Sequence, residues 1–200
     1  MKKNRSSIHN RVAKAVLALL ASGVLVYGGS ISGKINGRKG TAVVYIEAIA
    51  GKTFPPPDSH IAIDQKSLQF QPPVIVILAG STVDFRNSDT VQHNIFWPSV
   101  SGDKKLSHNM GIWPQGEIRS FKFNTPGIVS LLCDIHPEMS GYIIVTTTPY
   151  YAEANATGTY KIDNIPDGSY TVTAWREGMK SQSKPAAVAG IATLDWALTK

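Results

Sequence analysis

The 200-residue sequence has a single cysteine, Cys133. One thiol excludes any disulfide within the chain, so no covalent staple contributes to its fold. There is also no uninterrupted run of the ~20 apolar residues that a helix needs to span a bilayer. The longest apolar stretch, Ala15 to Tyr27, is shorter than that. Beyond it, no long segment repeats apolar residues with a 3.6-residue period, which argues against helical architecture. Low-complexity tracts are missing too. Acidic residues are absent before residue 29, where Lys2, Lys3, Arg5, Arg11 and Lys14 all lie. Without those five, fifteen basic residues face fourteen acidic ones. All but one unit of the formal charge of +6 therefore belongs to the first segment, and it gives no argument for nucleic-acid binding.

That first segment has its own reading. A basic stretch followed by a short apolar run is the pattern of an export signal. Val26 and Gly28 suit the −3 and −1 positions of a cleavage site, so residues 1–28 are expected to be a signal peptide and the protein periplasmic or secreted. The competing reading, an uncleaved membrane anchor, suffers from the shortness of the run. No cysteine lies near the site to carry a lipid. An exported protein with one free thiol is open to oxidation. Burial, or a metal bound to the thiolate, removes that exposure.

What remains is rich in short β-type runs separated by Gly and Pro. Residues 31–35 and 42–49 read as two strands, and Phe54-Pro-Pro-Pro57 as a stiff linker. Strand character follows in Ile61–Ile63, in Leu68 and Phe70, and in the continuous run Val74–Leu78. It recurs in Ser81–Phe85, Val91–Trp97, residues 116–123, Ile128–Cys133 and Gly141–Val145. After Thr148 the runs are Thr157–Ile162 and Ser169–Trp175, with Val188 and Ile191–Leu198 closing the chain. The expected fold class is all-β.

The segment Leu132-Cys-Asp-Ile-His-Pro-Glu-Met-Ser-Gly141 carries the chemistry. Cys133, His136 and Met139 stand three residues apart, at a strand end and in the tight loop beyond it. A thiolate, an imidazole and a thioether are soft or borderline donors, suited to copper rather than to magnesium or calcium. A mononuclear blue-copper site needs a second imidazole, and His93 in Gln92-His-Asn-Ile-Phe96 is the best candidate. Alone, a buried Cys or Met is usually structural; the joint pattern is what points to a metal. His60 and His108 read as surface histidines, Trp97 and Trp113 as sheet packing, and Glu138 as a harder donor that suits the site less well than Met139. His9 falls in the export segment.

On these residues the chain from Ile61 to Thr147 resembles the cupredoxins, plastocyanin and amicyanin in particular. The Cys-x-x-His-x-x-Met loop with Pro137 after the histidine is most similar to amicyanin, and Val83-Asp-Phe-x-Asn-Ser-Asp89 and Pro126-Gly127 suit the family. The resemblance implies a Greek-key β-sandwich over residues 59–148 and one type 1 copper. His93, Cys133 and His136 would be its strong ligands and Met139 its weak axial one, with Asn94 steadying the ligand loop. It also implies one-electron transfer with a redox partner protein, and no enzyme activity. Alternatives are copper storage or delivery without a redox role, or a red-copper, enzyme-like site using Glu138. A departure from the family is the stretch His108–Ile118, longer and more polar than expected.

Residues 149–200 resemble part of a carboxypeptidase regulatory-like, or transthyretin-like, β-sandwich, through Gly158-Thr-Tyr-Lys-Ile162, Ile165-Pro166 and Gly168-Ser-Tyr-Thr-Val172. Some fifty residues is short for a complete sandwich. Residues 30–54 resemble its opening strands, so the copper unit is expected to be inserted into it. Such a sandwich is a scaffold that suits contact with the cell envelope or another protein; no catalytic arrangement stands out in it.

Overall fold

The computed structural model describes residues 28–36 and 40–200. The expected export segment therefore lies outside the described residues, apart from Gly28. Among the described residues there are only strands, turns and one 3-10 turn at Lys104–Leu106. The protein is all-β.

The strands run β1 (Gly29–Asn36), β2 (Ala42–Ile46), β3 (Ile61–Lys66), β4 (Gln69–Gln71), β5 (Val74–Leu78) and β6 (Ser81–Asn87). Then come β7 (His93–Trp97), β8 (His108–Trp113), β9 (Ile118–Phe123), β10 (Gly127–Leu132) and β11 (Ser140–Thr146). The chain closes with β12 (Tyr151–Glu153), β13 (Thr159–Ile165), β14 (Gly168–Arg176), β15 (Gln182–Val188), β16 (Ile191–Thr193) and β17 (Trp196–Ala197).

Two sheets are built from the middle of the chain, in the orders β5-β11-β10-β7-β8 and β4-β3-β6-β9. Between them lies a core that includes Ile63, Phe85, Ile95, Trp97, Leu131 and Ile143, together with Cys133 and Met139. Alternation explains the packing, because successive strand side chains point to opposite faces. Ser81, Val83 and Phe85 of β6 are buried, while Thr82 and Asp84 between them face outward. Each such buried apolar side chain contributes roughly 1.5–3 kcal/mol.

The other two sheets unite the two ends of the chain. β1 pairs antiparallel with β13, from Gly29 opposite Ile165 to Lys34 opposite Thr159. β2 lies between β12 and β14 in the order β12-β2-β14-β15. The core they enclose draws on both ends, with Ile31, Ile35 and Val44 against Tyr160, Val172 and Trp196. A smaller cluster, Val43, Val74, Ile144 and Trp175, joins this sandwich to the middle one. There the Tyr142 and Trp175 rings lie 5.0 Å apart.

Several elements differ from the sequence reading. Ser67 and Leu68 do not continue a strand: they form a two-residue turn with φ of 56° and 55°, and Lys66 pairs with Gln69 across it. The polar stretch after His108 contains a strand, β8, at the edge of its sheet. Arg119 reaches over from β9 and donates to the Met110 carbonyl at 2.5 Å and the Ile112 carbonyl at 3.0 Å, partly covering that edge. Ile118 points outward and is half exposed, so only Phe121 and Phe123 of β9 face the core.

Close backbone approach leaves no room for a side chain at Gly33. A Cβ there would stand 2.1 Å from the Leu194 carbonyl oxygen. Gly33→Ala is expected to disturb the parallel contact of β1 with β16 and cost about 1–3 kcal/mol, read as a lowered urea midpoint.

A carboxylate ties β6 to β9. Asp84 accepts from Ser120 Oγ at 2.6 Å and meets His60 Nδ1 at 2.8 Å. The Ser120 hydroxyl, and after it the His60 contact and nearby Arg86, hold its pKa below the usual value against an opposing effect of burial. A group depressed in this way stabilises the fold above its unfolded pKa of ~3.9, and that contribution is lost as pH falls through the folded value. Urea midpoints taken from about pH 5 downward should therefore fall less steeply for Asp84→Asn than for the native chain.

Candidate metal centre

Three donor side chains converge at one end of the middle sandwich. His93 opens β7, Cys133 follows the last residue of β10, and His136 lies in the loop to β11. Two backbone features shape that loop. Leu132 pairs with Ser140, so β10 and β11 are already in register on both sides of it. Inside it the Met139 N–H donates to the His136 carbonyl at 2.9 Å, closing a turn through Pro137 and Glu138. The loop is thus pinned at its base and folded at its tip.

The donor atoms are close together. Cys133 Sγ lies 4.0 Å from His93 Nδ1 and 3.9 Å from His136 Nδ1, and the two Nδ1 atoms are 3.1 Å apart. Three donors each ~2.0–2.3 Å from a common centre, in a trigonal array, would be separated by roughly 3.5–4 Å. The two sulfur–nitrogen separations fall in that range, and the two nitrogens stand closer together. The burial is also appropriate: His93 is 0 % exposed, Cys133 3 % and Met139 1 %, whereas His136 is partly exposed. Met139 shares the hydrophobic core with Cys133. Glu138 is exposed, in contrast to its neighbour.

Hydrogen bonding fixes what His93 offers. Its Nε2 lies 2.9 Å from Asp89 Oδ2. A carboxylate only accepts, so Nε2 carries the proton and Nδ1 presents a lone pair toward Cys133 and His136. His136 Nδ1 faces the same space, so the two ring nitrogens and the sulfur are grouped as donors to a common centre would be. The donor set fits a soft or borderline metal ion such as copper.

Asp89 itself also accepts from the Ser67 N–H at 2.6 Å and the Leu68 N–H at 2.9 Å. Burial acts to raise its pKa, but those two N–H groups and His93 outweigh it, and the carboxyl lies below its ordinary value. Asn94 is 2 % exposed and bridges the sheet to the donor loop. It accepts from the Asp134 N–H at 2.6 Å and donates to Asp134 Oδ2 at 3.1 Å.

The remaining histidines and tryptophans lie elsewhere. His60 pairs with Asp84, and His108 stacks on Trp97 and Phe121, both histidines at the surface. His9 is outside the described residues. Trp97 and Trp113 are buried in the core, Trp97 donating to the Leu106 carbonyl at 3.0 Å. Trp113 stands opposite His93 in the β7–β8 register, with the Arg119 guanidinium 4.8 Å from its ring centroid. The functional residue that sequence reading missed is Asp89. It appeared there only as the last residue of the Val83–Asp89 stretch that suits the family, with no role assigned, and nothing local announces its partners Ser67, Leu68 and His93.

The chain belongs to the plastocyanin/azurin family of copper-binding proteins, whose family model matches residues 57–146. Plastocyanin of Scenedesmus fuscus is 33% identical over 81 residues, which are 38% of this chain and 83% of that protein. Amicyanin-alpha of Methylorubrum extorquens is 33% identical over 78 residues, 39% of this chain and 65% of that relative's length. The alignment thus spans a little under two thirds of the latter. Among solved structures, a reduced amicyanin variant is similar at 21% identity, over 46% of this chain and 91% of that one, with a TM-score of 0.41. A second family model, polysaccharide lyase family 4 domain II, matches residues 127–193. That match starts inside the copper-family region, at β10. The family's metal is copper, and the His-Cys-His group provides donors for it.

If Asn94 holds the donor loop, Asn94→Ala leaves the Asp134 N–H without its acceptor. The expected cost is about 1–3 kcal/mol, with faster amide exchange at Asp134 and unchanged exchange in β13 and β14, read by hydrogen-exchange NMR.

Proposed function

We propose that this protein is a one-electron carrier with a single type 1 copper, held by His93, Cys133 and His136 with Met139 as the weak axial donor. The observation that carries the reading is the mutual approach of Cys133 Sγ and the two histidine Nδ1 atoms, all within 4.8 Å. When bound, copper supplies a Cu(II)/Cu(I) couple in a geometry that suits both states.

The chain's residues do the rest. The hydrophobic core around Cys133 and Met139 keeps water from the sulfur donors. Asn94 and the β10–β11 register hold the loop rigid, which keeps reorganisation small. His136, partly exposed, provides the way out for the electron, and Ile135, 41% exposed, with Pro137 gives an apolar rim on which a redox partner protein can dock. A red-copper site using Glu138 is disfavoured, because Glu138 is exposed while Met139 is buried. With four protein donors no position is open for a substrate, so the reading is a carrier, not an enzyme. Copper storage or delivery would use the same donors, but without fast redox exchange.

The domain division goes with this reading: residues 59–148 form the copper unit, inserted between residues 30–54 and 149–200 of a carboxypeptidase regulatory-like sandwich. The support is that β1 and β2 pair with β13 and β14. That sandwich would offer a contact surface toward the cell envelope or another protein. Export, and with it a periplasmic or extracellular location, rests on the pattern of residues 1–28. Among the described residues no helix is long and apolar enough to cross a membrane, which says nothing of a β-barrel.

The test is the visible and EPR spectrum of the Cu(II)-loaded protein beside Cys133→Ser. An intense blue thiolate-to-copper band with narrow copper hyperfine splitting is expected, and its loss in Cys133→Ser. A red, tetragonal spectrum would bring Glu138 forward, and the absence of any thiolate band would overturn the reading. Slow electron self-exchange in a protein with the blue spectrum would favour storage or delivery.

A further inference from the structure

The β3–β4 turn is expensive for its sequence. Two successive residues with positive φ make a type I′ turn, a geometry that favours Asn-Gly, Asp-Gly or Gly-Gly. Here the residues are Ser67 and Leu68, whose β-carbons are crowded in the left-handed region. The turn is held from outside by the Asp89 carboxylate, which accepts the N–H groups of both strained residues. The Oδ2 atom that takes the Leu68 N–H also faces His93 Nε2.

Asp89 is fixed from behind as well. Its own N–H donates to Asn87 Oδ1 at 3.0 Å and the Gln65 carbonyl at 3.2 Å, while Asn87 Nδ2 donates to the carbonyls of Val91 and Trp113. The carboxylate therefore cannot easily swing away from the imidazole. On its other side the turn reaches the donor loop: Leu68, Phe70, Glu138 and Met139 line one small cavity of about 210 Å³.

We propose that Asp89 is a positioning residue for the metal centre. It imposes the Nε2–H tautomer on His93, aims Nδ1 at Cys133 and His136, and uses the Ser67–Leu68 turn as the clamp that keeps its own carboxylate in place. The effect on copper rests on the ligand reading above, whereas the effect on the tautomer does not. A negatively charged acceptor on the far nitrogen makes the near one a stronger donor. It therefore favours Cu(II) over Cu(I) and lowers the potential.

The experiment has a metal-free and a copper-loaded arm, each comparing the full chain with Asp89→Asn and Asp64→Asn. Asp64 is a useful control. Its carboxylate lies in the same region and accepts the Ser88 N–H at 3.2 Å, but makes no hydrogen bond to His93. In the metal-free arm, imidazole 15N NMR at mildly alkaline pH should show a protonated Nε2 and bare Nδ1 for His93 in the native chain and in Asp64→Asn. Asp89→Asn should give a mixture of tautomers and faster amide exchange at Ser67 and Leu68. A native His93 protonated at Nδ1 would overturn the proposal, and it needs no variant to fold. In the copper arm, Asp89→Asn should shift the Cu(I)/Cu(II) preference about tenfold toward Cu(I), some 59 mV upward for a one-electron couple. An equal rise in Asp64→Asn would reduce Asp89 to one more nearby charge and overturn the positioning role. Absence of a copper-thiolate band in the native protein would sink the ligand reading while the metal-free arm still judged Asp89.

Discussion

The structure hangs on one strand that is buried on both faces. β11 pairs with β10 on one side and β5 on the other, and its residues alternate between two cores. Ile143 and Val145 point into the middle sandwich with Cys133 and Met139, while Tyr142 and Ile144 pack on Val43 and Trp175 of the other sandwich. The donor loop ends where this strand begins. A strand buried on both faces has no tolerance for register slip, since a shift of one residue would exchange its two sets of side chains. The position of Met139 relative to Cys133 is consequently set by packing on both sides, not by the loop alone.

That constraint explains why the centre can be so local in sequence and still rigid. Three of the four proposed donors come from seven residues, and the fourth arrives on β7, which pairs with β10 only at Leu132 opposite Phe96. His93 itself is held in the sheet by β8, opposite Trp113. Side-chain bonds add to this: Asn94 ties β7 to the donor loop at Asp134, and Asp89 meets the His93 ring from the far side.

The sequence made the class of the fold and the donor loop readable, because both are local patterns. Alternation marked β6 and β14, and spacing of three singled out Cys133, His136 and Met139, of which the first two meet His93 in the structure. β8 and β15 escaped for a common reason: they are edge strands with polar, solvated faces, so neither carries an apolar period, and β15 contains Pro185. Leu68 looked like a strand residue because an apolar side chain two positions from Phe70 mimics alternation. What placed it in a turn was a carboxylate twenty-one residues away. Asp89 could not have been found from pattern alone, since its partners are backbone N–H groups and a ring nitrogen that the fold brings to it.

The union of the chain's two ends gives the centre a second kind of support. Neither flank has enough strands to close a core, and each completes the other only because the middle sandwich returns the chain to its starting point. The contact between sandwiches is small and apolar, Val43, Val74, Ile144 and Trp175, yet it involves β2 and β14 at the middle of one sheet and β5 and β11 of the other. Loosening the outer sandwich would thus act first on the outward face of β11. The inward face of that strand carries the residues that pack around Met139, so the outer sandwich contributes to the rigidity of a site it does not touch.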